Sequence, residues 1–240
     1  MQRIAITPNQ LQNQQIILTS PQLHYLYRVL RLQKGDRFIA MDGIGKWWLS
    51  QLNNTGAQIL HEIIQSTELP IAVTLMVALP KGNAFDEIVR CCTELGVTCI
   101  APVISDRTLL KPSSQKLQRW QRIATEAAEQ SERTKVPQIL EPIAFNQSIS
   151  SFTNFDKYIC IARTNSPHLL QLLSEQTEII NSKEITNVVI ATGSEGGWTE
   201  KEIEIALKNG FKPASLGRRI LRAVTAPIAI ASLISAIYEV

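Results

Sequence analysis

The sequence predicts an α/β fold built on a parallel sheet and preceded by a small, mostly β domain. Three observations carry that reading. From Leu69 onward, apolar strand-like runs alternate with amphipathic helical stretches, the pattern of repeated β–α units. The first such run, "IAVTLMVAL", is apolar throughout, as a strand covered on both faces requires. Before Leu69 the texture changes to short alternating runs separated by turn signals. The expected division is a first domain of residues 1–68 and a second of residues 69–240. With 240 residues, 45% of them apolar and only 19% charged, the chain can bury a core and is not expected to be disordered.

In the first domain the expected strands are "RIAI", "QIIL", "RFIAM", "KWWLSQL" and "AQILHEII". The segment "DGIGK" at 42–46 reads as a hairpin turn. Gly43 and Gly45 do not make a dinucleotide loop, because no third glycine and no helix follow them. One helix, "SPQLHYLYRVLRL", places Leu23, Leu26 and Leu30 on a stripe and leaves Arg28 and Arg31 off it.

In the second domain, "AFDEIVRCCTELG" sets Phe85, Ile88, Val89, Cys92 and Leu95 on one helical face. Strand "CIAPVI", helix "SQKLQRWQRIATEAAEQS", strand "KYICIA", helix "SPHLLQLLSE", strand "NVVIAT", helix "TEKEIEIALKNG" and the short strand "PASL" follow in turn. The C-terminal helix is apolar nearly all round, so its own domain or a second subunit must cover it.

Composition narrows the function. "MQRIAITPNQLQNQ" has no apolar core of a signal peptide, and "AVTAPIAIASLISAIY" is short for a bilayer and carries Thr, Ser and Pro. A cytoplasmic protein that does not enter the membrane is expected. Cys91, Cys92, Cys99 and Cys160 form no CxxC pair and lie far from His24, His61 and His168, so free buried thiols are expected and no metal site. The net charge of +3 is mild, but Arg28, Arg31, Lys34 and Arg37 crowd one segment and Arg218, Arg219 and Arg222 another. Such clusters can hold phosphate groups.

Four stretches can carry chemistry. In "VVIATGSEGGWTEKE" a strand stops at Thr192 and a loop with Gly193, Gly196 and Gly197 precedes a helix capped by Thr199 and Glu202. This loop stands at the carboxyl end of a parallel strand, where open α/β sheets bind ligands. A Walker loop is excluded because Trp198 follows Gly197, and a Rossmann loop because the spacing is wrong. Glu195 repels phosphate and suits a cationic or neutral ligand, such as an adenosyl group on a sulfonium. In "ASLGRRILRAVTAP", Gly217 allows a turn, Ile220 and Leu221 alternate with arginines, Thr225 is the expected cap and Pro227 stands in the first turn. An apolar wall with free amides suits an adenine ring. The third stretch, "EAAEQSERTKVPQI", ends a helix with Gln130, Ser131 and Arg133, and in the fourth Thr93, Glu94 and Arg107 flank a helix-to-strand turn.

Taken in order, "HYLYRVLRLQKGD", "TELGVTCIAPVISDR", "EQSERTKVP", "GSEGGWTEKE" and "LGRRILRAVTAP" resemble the RsmE family, the ribosomal small-subunit RNA methyltransferases that modify N3 of a uridine. The resemblance covers nearly the whole chain. It implies a PUA-like β-barrel domain followed by a SPOUT-type α/β domain with a C-terminal trefoil knot, working as a homodimer on 16S rRNA of the small ribosomal subunit. It implies S-adenosylmethionine as cofactor, held by Leu79, by Thr192, Gly193, Glu195, Gly196 and Gly197, and by Leu216, Gly217, Ile220, Leu221, Arg222, Thr225 and Ala226. No metal is implied. The chain departs from the family at Ser194, where a proline is usual, at Cys91, where a lysine is common, and at Val224, where a glutamate is typical.

N3 of uridine is a weakly acidic imide, so a methylating enzyme must assist its deprotonation or stabilise the anion while aligning it with the methyl donor. Alignment alone contributes about 7–11 kcal/mol at best. The catalytic set expected is Arg133, Glu94 and Arg222, with Arg107 a further cation for the uracil anion and Glu195 an alternative base to Glu94. Arg3, His24, Arg28, Arg31, Arg107, Gln130 and Ser131 are expected to hold RNA. A second reading is a ribosome-binding factor that keeps the fold and loses turnover through Val224, and a third is an α/β enzyme acting on a small nucleotide.

Overall fold

The computed structural model describes residues 1–110, 112–179 and 187–239. Two compact units emerge: Met1–Glu68 with Thr125–Val136, and Leu69–Ala124 with Pro137–Val240.

The first unit is a six-stranded sheet of β1 (Arg3–Ala5), β2 (Leu11–Gln12), β3 (Gln15–Ile16), β4 (Arg37–Met41), β5 (Trp47–Leu52) and β6 (Ala57–Ile63), in the order β1-β4-β5-β6-β3-β2. Only β1 and β4 pair in parallel; the other pairs are antiparallel. The β4–β5 turn is fixed by Asp42, whose Oδ1 accepts from the amides of Ile44, Gly45 and Lys46 at 2.9, 3.0 and 2.9 Å. One apolar cluster gathers Ile4, Ile16, Leu26, Phe38, Leu52 and Ala57; a second joins Ile39, Met41 and Trp47 to Ala128.

The helix expected over 20–32 is shorter and changes pitch. Helix α1 covers Ser20–His24, capped by Thr19, and a π-helical turn follows over Tyr25–Val29. The wide turn closes where the Leu30 amide donates to Tyr25 O at 2.9 Å, and the chain leaves through Arg31 at φ +56°. Leu26 remains fully buried under this turn, so the apolar stripe survives the change of pitch.

The second unit is a fully parallel sheet. Its strands are β7 (Ala72–Ala78), β8 (Cys99–Ile104), β9 (Gln138–Ile139), β10 (Ile143–Ala144), β11 (Asp156–Cys160), β12 (Asn187–Thr192) and β13 (Lys212–Ala214). The order is β10-β8-β7-β12-β11-β13, with β9 also on β8. Helices α2 (Ala84–Glu94), α3 (Ser114–Gln130), α4 (Phe145–Ser148), α5 (Leu169–Ile179), α6 (Glu200–Lys208) and α7 (Thr225–Tyr238) connect and cover these strands, the last turns of α3 falling in the first unit. Val73 and residues 75–78 of β7 are fully buried, which is why that strand is apolar on both faces. The short β9, β10 and α4 lie in a stretch that carries no periodic apolar signal.

Candidate functional site

Strands β12, β11 and β13 are adjacent and parallel, so the chain leaves all three at one sheet edge. The segments that follow them, together with Arg107 and Ile203, enclose a cavity of about 660 Å³. That volume suits a small-molecule ligand. Its walls are Cys160–Arg163, Thr192–Trp198, Leu216, Gly217, Arg219–Val224 and Ala226.

The glycine loop after β12 has a backbone reason for its sequence. The Gly197 amide donates to Ser194 O at 2.9 Å, closing a turn with Gly197 at φ +68°. A Cβ on Gly193 would stand 3.0 Å from Gly197 Cα, so the turn folds back onto a position that tolerates no side chain. Glu195 accepts the Lys81 amide at 3.0 Å. Arg107 donates to the carbonyl of Gly196 and, at 3.2 Å, to that of Trp198, with its aliphatic stem packed where a Gly196 side chain would be.

The helix after this loop starts as its sequence foretells. Glu202 Oε2 accepts the Thr199 amide at 2.8 Å, and the Thr199 hydroxyl accepts the Glu202 amide at 3.3 Å. Glu202 is only 2% exposed, and its other oxygen accepts the Asp106 amide at 2.9 Å. One carboxylate therefore fixes both the end of the glycine loop and the segment that carries Arg107.

The opposite wall differs from expectation at its cap. Thr225 is the first helical residue of α7; Val224 occupies the cap position, in helical backbone geometry at φ −78°, ψ −42°, with no side-chain hydrogen bond. Since the chain is already helical at Val224, a hydroxyl at 225 lies too late to reach the orphan amides. Leu216, Ile220 and Leu221 supply apolar surface, and Ile220 is 60% exposed.

Three polar atoms in the glycine-loop wall are buried without a hydrogen-bond partner: Thr192 Oγ1, Ser194 Oγ and Trp198 Nε1. Unpartnered buried groups cost free energy unless a ligand or ordered water satisfies them. Cys160 also lines the cavity, but burial pushes its thiol up to about 12, and burial pushes Cys99 up to about 11, so both stay protonated at neutral pH. Among the described residues, no group of three or more His, Cys, Asp or Glu could hold a metal ion.

Of the residues singled out from sequence, Thr192, Gly193, Glu195, Gly196, Gly197, Leu216, Gly217, Ile220, Leu221, Arg222, Ala226 and Arg107 line this cavity. Leu79 and Thr225 do not: Leu79 is buried, its amide donating to Val103 O at 3.0 Å, and Thr225 is exposed. Glu94 is the exposed last residue of α2 and is not in the cavity lining. Arg133, Gln130, Ser131, Arg3, His24, Arg28 and Arg31 belong to the first unit. Arg133 is 2% exposed and its guanidinium donates to Glu68, whose Oε1 also accepts from the Thr134 hydroxyl at 3.2 Å and the Lys135 amide at 3.0 Å. Arg3 pairs with Glu132 at 2.7 Å and lies over the Trp47 ring, whereas His24, Arg28 and Arg31 are exposed. Sequence reasoning missed Ile161, Arg163 and Trp198 as wall residues; a place just past the end of a parallel strand was the available signal.

Fold and site define a class: an α/β protein with a cavity of small-molecule size at the carboxyl edge of a parallel sheet, joined to a separate β-rich unit. The model of the RNA methyltransferase domain family matches residues 67–235, and that of the RNA methyltransferase PUA domain matches residues 18–60. Ribosomal RNA small subunit methyltransferase E of Synechocystis is 48% identical, over 99% of this chain and 78% of its own length. The protein of the same name from Bacillus subtilis is 32% identical, over 91% of this chain and 88% of its own. The crystal structure of the Neisseria gonorrhoeae ribosomal RNA small subunit methyltransferase E, bound to S-adenosyl methionine, superposes with a TM-score of 0.87 at 31% identity, covering 99% of this chain and 98% of that one. The chain belongs to this family of RNA methyltransferases.

Proposed function

We propose that this protein transfers a methyl group from S-adenosylmethionine to N3 of a uridine in the 16S rRNA of the small ribosomal subunit. The observation that carries the reading is the cavity itself, which the three segments after β11, β12 and β13 build in a chain nearly half identical to a named ribosomal RNA methyltransferase. The lining fits the cofactor. Leu216, Ile220, Leu221 and Ile161 offer apolar surface for an adenine, Glu195 a negative charge for a sulfonium, and the unpartnered Thr192, Ser194 and Trp198 a polar wall awaiting satisfaction.

When bound, the cofactor supplies an electrophilic methyl group. The chain supplies position and charge. Arg222, exposed and in the cavity lining, stabilises the uracil anion as N3 loses its proton. Glu195 is the acid within the cavity, and its hydrogen bond from Lys81 fixes its orientation; Glu94 stands outside the lining. Arg107 works on the loop, because its guanidinium is committed to the carbonyls of Gly196 and Trp198. Arg133 works through Glu68 to hold the 131–135 segment in shape.

In this reading residues 1–68 form the PUA-like domain and hold RNA through His24, Arg28 and Arg31, and the chain between Gly193 and Val224 forms the trefoil knot. The protein acts as a homodimer in the cytoplasm, where ribosomes are assembled; no helix among the described residues is long and apolar enough to cross a membrane. The test is direct: purified protein, labelled cofactor and undermethylated small subunits are incubated, and the RNA is analysed for N3-methyluridine. Absence of methyl transfer, under conditions where the Bacillus subtilis relative works, overturns the proposal. A ribosome-binding factor without turnover is disfavoured by the high identity to a named enzyme over nearly the whole chain.

A further inference from the structure

The charged residues lining the cavity are four arginines and one glutamate: Arg107, Arg163, Arg219 and Arg222 against Glu195. Four against one leaves an excess of three positive charges, more than the single carboxylate of the cofactor balances. The excess is therefore matched to something anionic. Arg107 is already spent on loop carbonyls, and Arg222 faces the reacting base in the reading above. Arg163 and Arg219 are exposed and have no carboxylate partner among the described residues.

Arg163 has a second peculiarity. Its backbone sits at φ +60°, a left-handed conformation that glycine or asparagine adopts more easily. The turn just past β11 thus carries a guanidinium at a backbone cost, and such strain gathers at ligand clamps. In the segment after β13, Arg219 stands next to Ile220, whose exposed side chain offers an apolar contact for a base.

We infer that Arg163 and Arg219 form a phosphate clamp at the mouth of the cavity, gripping the single-stranded RNA backbone that flanks the target nucleotide. The inference rests on the reading of this cavity as the methyltransferase centre. Guanidinium groups bind phosphate oxygens in forked geometry, and phosphate contacts position the strand without reading its sequence. The rival anion is the carboxylate of the cofactor, which one arginine alone would satisfy.

Arg163→Gly and Arg219→Gln separate these sources. Arg163→Gly also relieves the left-handed backbone, so its melting temperature is expected to equal or exceed that of the wild type, and loss of folding cannot explain its behaviour. Binding of a short fluorescein-labelled single-stranded RNA containing uridine is measured by anisotropy across a salt series, and binding of S-adenosylmethionine by calorimetry. Each variant is expected to bind RNA several-fold more weakly, with the slope of log affinity against log salt shallower by about 0.7, and to bind cofactor as the wild type does. Arg163→Lys is expected to recover most of the salt slope. Unchanged RNA binding in both variants overturns the clamp alone, and so does weakened cofactor binding in either, whatever the RNA does. A wild-type protein that binds neither ligand overturns the proposed function with it.

Discussion

The lack of a side chain on Gly193 lets the loop after β12 fold back on itself. A methyl at that position would meet backbone atoms of Gly197 at 3.0 and 3.1 Å, and backbone cannot swing aside as a side chain can. Gly193→Ala is expected to weaken calorimetric binding of S-adenosylmethionine at least tenfold while melting within a few degrees of the wild type, because the loop lies at the sheet edge. Gly197→Ala meets no atom within 4 Å and is strained only by its φ of +68°, so the milder loss belongs to it, about 1 kcal/mol. Val224 stands at the head of α7 with no cap bond. Val224→Glu places an acid at the positive end of the helix, worth about 0.3–1 kcal/mol, and is expected to raise the melting temperature slightly and leave kcat within about threefold. A rise in kcat of two orders of magnitude would instead mark Val224 as a genuine lesion. Glu129 titrates against the fold: burial raises its carboxyl above the usual value, the amide of Ala5 at 2.6 Å lowers it, and the charge of Glu126 raises it again. A raised carboxyl holds its proton more tightly in the folded state, so this group's contribution is most favourable below its unfolded pKa, about 4.5, and is lost as pH rises through the folded value. Glu129→Gln is therefore expected to stabilise the protein at pH 7 and to lose that advantage near pH 4 in urea titrations.

At the scale of elements, local chemistry decides what could be read in advance. The start of α6 is spelled out by Thr199 and Glu202, three residues apart, and both halves of the capping box form. The same logic failed at α7, because the chain turns helical one residue before Thr225 and a valine takes the cap. The pitch change after α1 was also hidden: a π turn keeps Leu26 in the core, so the apolar stripe looks the same for either helix. Arg163 was invisible for a further reason, since only the neighbouring positions of β11, β12 and β13 bring its turn to the glycine loop. The role of Glu202 likewise extends beyond its own helix, as its second oxygen holds the Asp106 amide 96 positions away. Glu202→Ala removes an acceptor from two amides at a buried site and is expected to cost about 2–4 kcal/mol in denaturant unfolding. Because Arg107 follows Asp106, the same variant is expected to raise the KM for cofactor more than it lowers kcat.

For the molecule as a whole, the parallel sheet and the place of the glycine loop at the carboxyl end of a strand follow from the alternation of strands and helices, whereas the strand order rests on long-range pairings that patterning does not encode. Assembly does not follow in the same way, since an all-round apolar helix announces that it is covered without naming its cover. In α7, Pro227, Ile230, Ala231 and Ile234 are buried and the helix packs on α2 and α5. Thr225, Ser232 and Ala236 form an exposed stripe of small side chains beside the half-exposed Ile228 and Leu233. Small residues allow a second helix to approach closely, and the apolar neighbours give that approach a hydrophobic driving force. The homodimer proposed above is expected to use this stripe. Ala236→Arg tests it without endangering the fold, because the side chain of residue 236 is exposed in the single chain and a charge there meets water. In sedimentation velocity at micromolar concentration, the wild type is expected to run as a dimer and Ala236→Arg as a monomer of unchanged helicity. A wild type that runs as a monomer rejects the dimer, whereas a variant that stays dimeric moves the interface away from α7.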